Sequence, residues 1–166
     1  MTMSAPLTRL VTFRVGAELF AVDIFSVERV LRYEPARVVP GLPAWMEGVL
    51  EHSGRVVPVI DLRRRFAVDA SQPGPQARLL ILALESEWVG AVVDQVLDIR
   101  GVAPDEVTPP PPIVRGIAGE YLRGVVRRGD SLVLVIDADR LLGATERLEL
   151  GRASSDAAPK GAEGDA

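Results

Sequence analysis

The sequence predicts an all-β fold that contains the same small sheet twice. Apolar and polar residues alternate along short segments, and turns rich in Gly and Pro separate these segments. Residues 9–30 align without gaps on residues 78–99 at an offset of 69, and residues 45–61 align on residues 121–137 at an offset of 76. Six of the 17 positions in the second alignment are identical, which favours duplication. Short strands repeated in this way indicate two small closed sheets.

The first copy begins with a hairpin. Residues 9–15 alternate in polarity, Gly16-Ala17-Glu18 is a turn signal, and a second strand follows to Ile24. Residues 55–62 predict another strand, and Pro58 within it should lie at an edge or a bulge because proline lacks an N–H. Short helices are expected at residues 43–48 and 61–66.

The second copy follows the same plan. Residues 132–136 match the strand at 55–62, and four prolines at 109–112 form an extended connector within the longer second copy. A helix is expected from Asp137 to about Leu148, with Asp137 or Asp139 as its N-cap.

These elements predict one region at 7–150, divided roughly into a first barrel at 7–75 and a second barrel with the terminal helix at 76–150. A barrel of about 65 residues buries only about 60 % of its chain surface, so we expect the two to share an apolar seam. Residues 151–166 contain no large apolar side chain and predict a disordered tail.

Composition excludes several classes of function. The 166 residues include 19 Lys and Arg against 23 Asp and Glu, and a net charge of −4 argues against nucleic-acid binding. Without Cys, the chain has no disulfides and no thiolate metal sites, and a single His excludes multi-histidine zinc sites. The start of the chain lacks the pattern of a signal peptide, and apolar runs of five or six residues are far shorter than the roughly 20 of a membrane helix. We therefore expect a cytoplasmic protein that does not insert into the membrane.

No set of residues predicts catalysis. Asp61 and Asp137 occupy equivalent positions, as the two acids of an aspartic protease do, but the residues after them do not fit such a site, and helix capping is the favoured interpretation. His52 and Ser53 are adjacent without a nucleophile-elbow pattern, and no Gly-rich phosphate loop occurs. We expect no catalytic residue, metal or cofactor. A hydrolase built on the two aspartates and an OB-like or SH3-like nucleic-acid binder remain the alternatives from other classes.

The two hairpins, the stretch Pro43–Phe66, the step Val93-Asp94-Gln95-Val96 and the terminal helix together resemble the CheW-like chemotaxis coupling family over residues 10–142. The resemblance implies two intertwined five-stranded SH3-like barrels with an apolar seam, plus a short C-terminal helix. It also implies a non-enzymatic adaptor between two partners, the regulatory domain of a CheA-type histidine kinase and the cytoplasmic tip of methyl-accepting chemoreceptors. Recruitment to receptor arrays at the membrane would follow.

The resemblance also assigns roles to residues. Receptor and kinase binding would involve eight positions, namely Val27, Arg29, Val30, Gly48, Val49, Ser53, Gly54 and Arg55. Turns and the seam would depend on Asp61, Arg63, Asp94 and Asp137. The chain departs from the family pattern Gly-Val-x-Asn-Leu-Arg-Gly, because Glu51 replaces Asn and Ser53 replaces Arg, although Arg55 could substitute. A diverged or non-flagellar pathway, or a competitor that caps arrays without activating the kinase, would explain this difference.

Overall fold

The computed structural model describes residues 7–43, 46–66, 73–85, 87–112 and 119–142. Ten strands account for most of this part of the chain: β1 (Thr8–Val15), β2 (Glu18–Asp23), β3 (Val27–Arg32), β4 (Met46–His52), β5 (Arg55–Asp61), β6 (Arg78–Ala83), β7 (Trp88–Val93), β8 (Gln95–Val102), β9 (Leu122–Arg128) and β10 (Ser131–Ile136). One α-helical turn, α1 (Leu62–Arg65), follows β5. Short 3-10 turns occupy Ile24–Ser26, Pro104–Glu106, Gly119–Tyr121 and Ala138–Arg140.

The strands form two five-stranded sheets. Barrel A has the order β8-β1-β2-β10-β9, and barrel B has the order β3-β6-β7-β5-β4. Neighbours are antiparallel except for β2 with β10 and β5 with β7, which are parallel. Isolated bridges between Thr108 and Val125, and between Arg37 and Val49, join the segments after β8 and β3 to β9 and β4. The predicted all-β architecture of two small sheets is confirmed.

The two copies of the repeat exchange strands. Each barrel combines a hairpin from one copy, β1–β2 or β6–β7, with three strands from the other copy. The two orders become identical when the repeat offsets are applied, so the molecule has an internal twofold relationship. A boundary near residue 75 therefore does not separate the two sheets, because the chain crosses from barrel A to barrel B at Ile24–Ser26, directly after its first hairpin.

A shared apolar seam connects the barrels. Along β1, β2, β6 and β7, alternate side chains point into the barrel interior and into the seam, so apolar side chains are buried on both faces of these strands. On β1, Leu10 lies in the barrel A interior while Phe13 lies in the seam. On β6, Leu79 lies in the barrel B interior while Leu80 lies in the seam. This double burial explains why β6 is a continuous apolar run and not an alternating one.

The structure corrects two local predictions. The helix expected at residues 43–48 is wrong, because β4 begins at Met46 and Gly48 pairs with Val59. Pro58 does not lie on an edge strand, since β5 pairs with both β4 and β7. The ladder between β5 and β7 starts at the next residue, Val59, so the N–H that Pro58 lacks is just before the first paired residue of that ladder.

The predicted helix at 61–66 is confirmed as α1, whose N-cap is Asp61. The helix expected from Asp137 to Leu148 is described only as a 3-10 turn at Ala138–Arg140, with Asp137 as its cap. Residues 143–150 and the tail at 151–166 lie outside the described residues.

Candidate functional site

A buried ion pair stands at the end of β5. The Arg63 side chain donates from Nε to Asp61 Oδ1 at 3.1 Å and from Nη2 to Asp61 Oδ2 at 2.9 Å, while the Arg63 backbone N–H donates to Asp61 Oδ1 at 2.9 Å. These side chains are 6 % and 3 % exposed. The hydrogen bonds that the Arg63 side chain donates to Asp61 raise the pKa of Arg63 above its ordinary value, even though burial acts in the opposite direction. The Arg63 guanidinium therefore keeps its charge inside the protein.

Asp94 extends this pair from barrel B to barrel A. Its Oδ1 lies 3.6 Å from Arg63 Nη1, and its Oδ2 accepts a 2.6 Å hydrogen bond from the Gly16 N–H in the β1–β2 turn. The Asp94 N–H donates to the Arg14 carbonyl at 2.9 Å. In the equivalent place of the second copy, Asp139 Oδ1 accepts from the Glu85 N–H at 3.1 Å. The β1–β2 turn and the β6–β7 turn are thus each hydrogen-bonded to a carboxylate that lies outside the hairpin.

A second buried polar contact lies beside β4. Tyr33 Oη donates to Glu47 Oε1 at 2.9 Å, and Glu47 Oε2 is buried without a hydrogen-bond partner among the described residues. Burial, with the neighbouring Glu47 carboxylate as the next cause, raises the pKa of Tyr33 to about 12. Sequence reasoning missed both residues, because Glu47 lies at a bulge in β4 that the pattern of apolar residues does not reveal.

The residues expected to bind a receptor divide into buried and exposed groups. Gly48 and Val49 lie in the wall of barrel B, where a Cβ on Gly48 would stand 2.5 Å from the Arg37 carbonyl oxygen and Val49 is only 5 % exposed. Neither offers a side chain to a partner. Val27 packs partly against the seam. Arg29 and Val30 are exposed on β3, and Val30 is 41 % accessible.

The β4–β5 turn presents the remaining expected residues. Ser53 and Gly54 have φ values of 51° and 75°, the left-handed conformation of a tight two-residue hairpin turn. The Arg55 guanidinium stacks 4.0 Å above the Trp88 ring, and the His52 ring lies 5.8 Å from the same indole. Sequence reasoning did not select Trp88, which the parallel pairing of β5 with β7 brings to this turn.

The geometry does not join the two repeated aspartates into one site. Asp61 pairs with Arg63, whereas Asp137 accepts the Asp139 N–H at 3.1 Å and lies 3.5 Å from Arg140. Both act as N-caps, which confirms the favoured interpretation of these residues. Within the described ranges, no group of three or more potential ligands is arranged to hold a metal ion.

The described part of the chain also contains no helix with the length and apolar character needed to cross a membrane.

Comparison with known proteins shows what the chain is similar to. The profile of the CheW-like domain matches residues 9–146. The chain is 32 % identical over 146 residues to the chemotaxis protein CheW of Treponema pallidum, covering 86 % of each chain. It is 33 % identical over 140 residues to the protein FrzA of Myxococcus xanthus, covering 84 % of each. The crystal structure of the scaffolding protein TtCheW from Thermoanaerobacter tengcongensis superposes with a TM-score of 0.77 at 26 % identity, over 87 % of this chain and 92 % of that one.

Proposed function

The chain belongs to the CheW-like family, and from this premise we propose that it is a non-enzymatic chemosensory adaptor that couples chemoreceptors to a CheA-type histidine kinase. The observation that carries the proposal is the match of the CheW-like domain to residues 9–146, supported by the superposition on a scaffolding protein. Such a role requires surfaces and no reactive group. The carboxylates of Asp94, Asp61 and Asp137 fit it, because they accept hydrogen bonds that hold a hairpin turn and the starts of two helical turns.

The proposed receptor surface lies on and before β3. Arg29 and Val30 are exposed there, and Phe25, in the 3-10 turn directly before the strand, is 92 % exposed. Burying a phenylalanine of this kind on binding contributes about 1.5–3 kcal/mol. The partner is the cytoplasmic tip of a methyl-accepting chemoreceptor, a helical hairpin whose apolar stripe can lie against such a surface.

The second partner is the regulatory domain of the kinase. The resemblance gives that domain the same barrel pair, and exposed barrel edges allow one such pair to dock on another. A typical interface would bury about 800 Å² on each side. The adaptor works in the cytoplasm, reaches the membrane only through receptor arrays, and uses no cofactor or nucleic acid.

The altered β4–β5 turn is compatible with two roles. Glu51 and Ser53 replace the Asn and Arg of the family pattern, and Arg55 is stacked on Trp88. A chain with this altered turn could bind arrays without activating the kinase, as a competitor or cap. It could equally serve a diverged or non-flagellar pathway as a true adaptor.

A reconstituted kinase assay distinguishes these roles. Purified chain is added to the histidine kinase and the receptor of the same cell, and autophosphorylation is followed. An adaptor raises receptor-controlled activity, while a competitor leaves it flat or lowers it. Co-purification of the chain with that kinase gives an independent test, and failure to associate with either protein would contradict the proposed function.

A further inference from the structure

The four consecutive prolines at residues 109–112 begin at a fixed point in the wall of barrel A. Directly before them, the Thr108 N–H donates to the Val125 carbonyl at 2.9 Å, and the Val125 N–H donates to the Thr108 carbonyl at 2.8 Å. Val107 packs on the apolar interior of the same barrel. A Cβ on Gly124 would stand 2.7 Å from the Thr108 carbonyl oxygen, so the segment lies tightly against β9. The barrel therefore holds the start of the proline run in one place.

The backbone of the run is restricted to the polyproline II conformation. Each residue from 108 to 111 precedes a proline, which disfavours the helical region for it. The pyrrolidine rings also fix φ of the prolines themselves in the polyproline range. Residues 109–111 accordingly belong to no helix or strand, and every peptide bond of the described residues is trans. The chain through Pro111 is therefore a left-handed helix with about three residues per turn.

Solvent exposure along the run follows the same period of three. Pro109 and Pro112 are exposed, whereas Pro110 and Pro111 are half-buried. Three residues per turn place the rings of Pro109 and Pro112 on one edge of the polyproline helix, and the protein covers the other two edges. A connector detached from the barrel would expose all four rings alike. We call Pro109 and Pro112 the proline edge.

Connecting two strands of the barrel does not by itself require this run. In barrel B, Arg37 bridges Val49 as Thr108 bridges Val125 in barrel A. The three residues after Arg37 are Val, Val and Pro, so the equivalent connector follows its bridge without a run of prolines. The proline edge is thus a feature of one barrel only, and the repeated architecture does not explain it.

We propose that the proline edge binds a protein domain whose groove is lined by aromatic side chains and has a basic rim. Two prolines spaced as Pro109-x-x-Pro112 on one exposed edge are the feature that such grooves recognise. Asp105 and Glu106 are exposed in the 3-10 turn just before the run, and their charges complement a basic rim. Because the edge is ordered before binding, little conformational entropy is lost. This domain is a third partner, beyond the receptor and the kinase of the proposed function.

The test uses a purified WW domain as the probe, because its groove is lined by aromatic side chains, and one with an arginine at the rim is chosen. The tryptophans of the probe are replaced by fluorotryptophan, and its fluorine NMR signals are followed as the full chain is added. We expect the signal of the groove tryptophan to shift with a Kd of about 1 mM or tighter. The Kd should rise with salt, because the rim contact is charged. Pro109→Ala/Pro112→Ala should raise the Kd about tenfold or more.

Pro35→Ala/Pro40→Ala is the matched control, because it removes two exposed prolines from the connector of barrel B. We expect it to bind the probe as wild type does. Both variants lose two exposed prolines, so their Tm values should agree, which separates lost binding from lost structure.

Three results would overturn the role of the proline edge while leaving the adaptor intact. They are a wild-type chain that does not shift the probe signal, equal Kd values for wild type and Pro109→Ala/Pro112→Ala, and equal weakening by both variants. Pro109→Ala/Pro112→Ala should also support receptor-controlled kinase activity as wild type does, and loss of that activity would overturn the third partner. A wild-type chain that fails in the kinase assay contradicts the proposed function and not this inference.

Discussion

Replacing Arg63 with alanine should destabilise the fold more than any change at a neighbouring arginine. The substitution removes at least three hydrogen bonds or ion contacts within the described part of the chain. It leaves the Asp61 carboxylate, 3 % exposed, without the two hydrogen bonds of the Arg63 guanidinium. Breaking a buried pair in this way costs about 3–5 kcal/mol. Domains of this kind have a total stability of about 5–15 kcal/mol, so the loss is a large fraction of it.

The free energy of unfolding is measured by urea titration followed by circular dichroism. For a chain of this length, we expect Tm to fall by about 6–20 °C in Arg63→Ala. Arg64→Ala is the matched control, because Arg64 is 63 % exposed and its Nε lies 3.9 Å from the same Asp61 carboxylate. A surface pair of this kind contributes about 0–1 kcal/mol. If the two variants differ by less than about 1 kcal/mol, the buried pair does not stabilise the connection between α1 and the β1–β2 turn.

Three further outcomes follow from other contacts. Gly48→Ala should lower the free energy of unfolding by about 1–3 kcal/mol, because its Cβ would stand 2.5 Å from the Arg37 carbonyl oxygen. Gly74→Ala is the control, because a Cβ there would meet nothing within 4 Å, and it should change the free energy measured by urea titration by less than about 0.5 kcal/mol. Equal effects of the two variants would contradict the close approach at Gly48. Because the folded pKa of Tyr33 is raised from 10.0 to about 12, its contribution is complete below pH 10 and is lost as pH rises towards 12. Urea titrations at pH 8 and pH 11 should therefore show a smaller loss of stability for Tyr33→Phe than for wild type, and equal losses would count against the raised pKa. Ser53→Arg should lower the Kd for the cognate receptor tip, measured by calorimetry. If the Kd does not fall with any receptor, the altered β4–β5 turn is not what changed receptor binding.

The alignment of the two copies predicted more of the fold than the local patterns of apolar, Gly and Pro residues did. Alignment at two offsets identified both hairpins and the equivalence of β4–β5 with β9–β10, and these equivalences hold for bulges and bridges as well. Helix prediction at residues 43–48 failed because Gly48 is needed for a close approach of two strands, a requirement that depends on the chain at Arg37. The site was predicted less completely. Arg29 and Arg55 were selected, but Phe25 and Trp88 read as ordinary apolar positions, since exposure is not encoded in residue type.

The amino-acid sequence by itself determined the strand class, the duplication, the helix caps at Asp61 and Asp137, and the absence of cysteine chemistry, because each depends on residue identity or on neighbours a few positions away. Tertiary structure alone decided that the copies exchange hairpins, that Asp94 joins barrel B to the Gly16 turn, and that Arg128 pairs with Asp98 across barrel A. Those outcomes depend on contacts between residues some 30 to 80 positions apart, whose partners are chosen by packing the whole apolar seam.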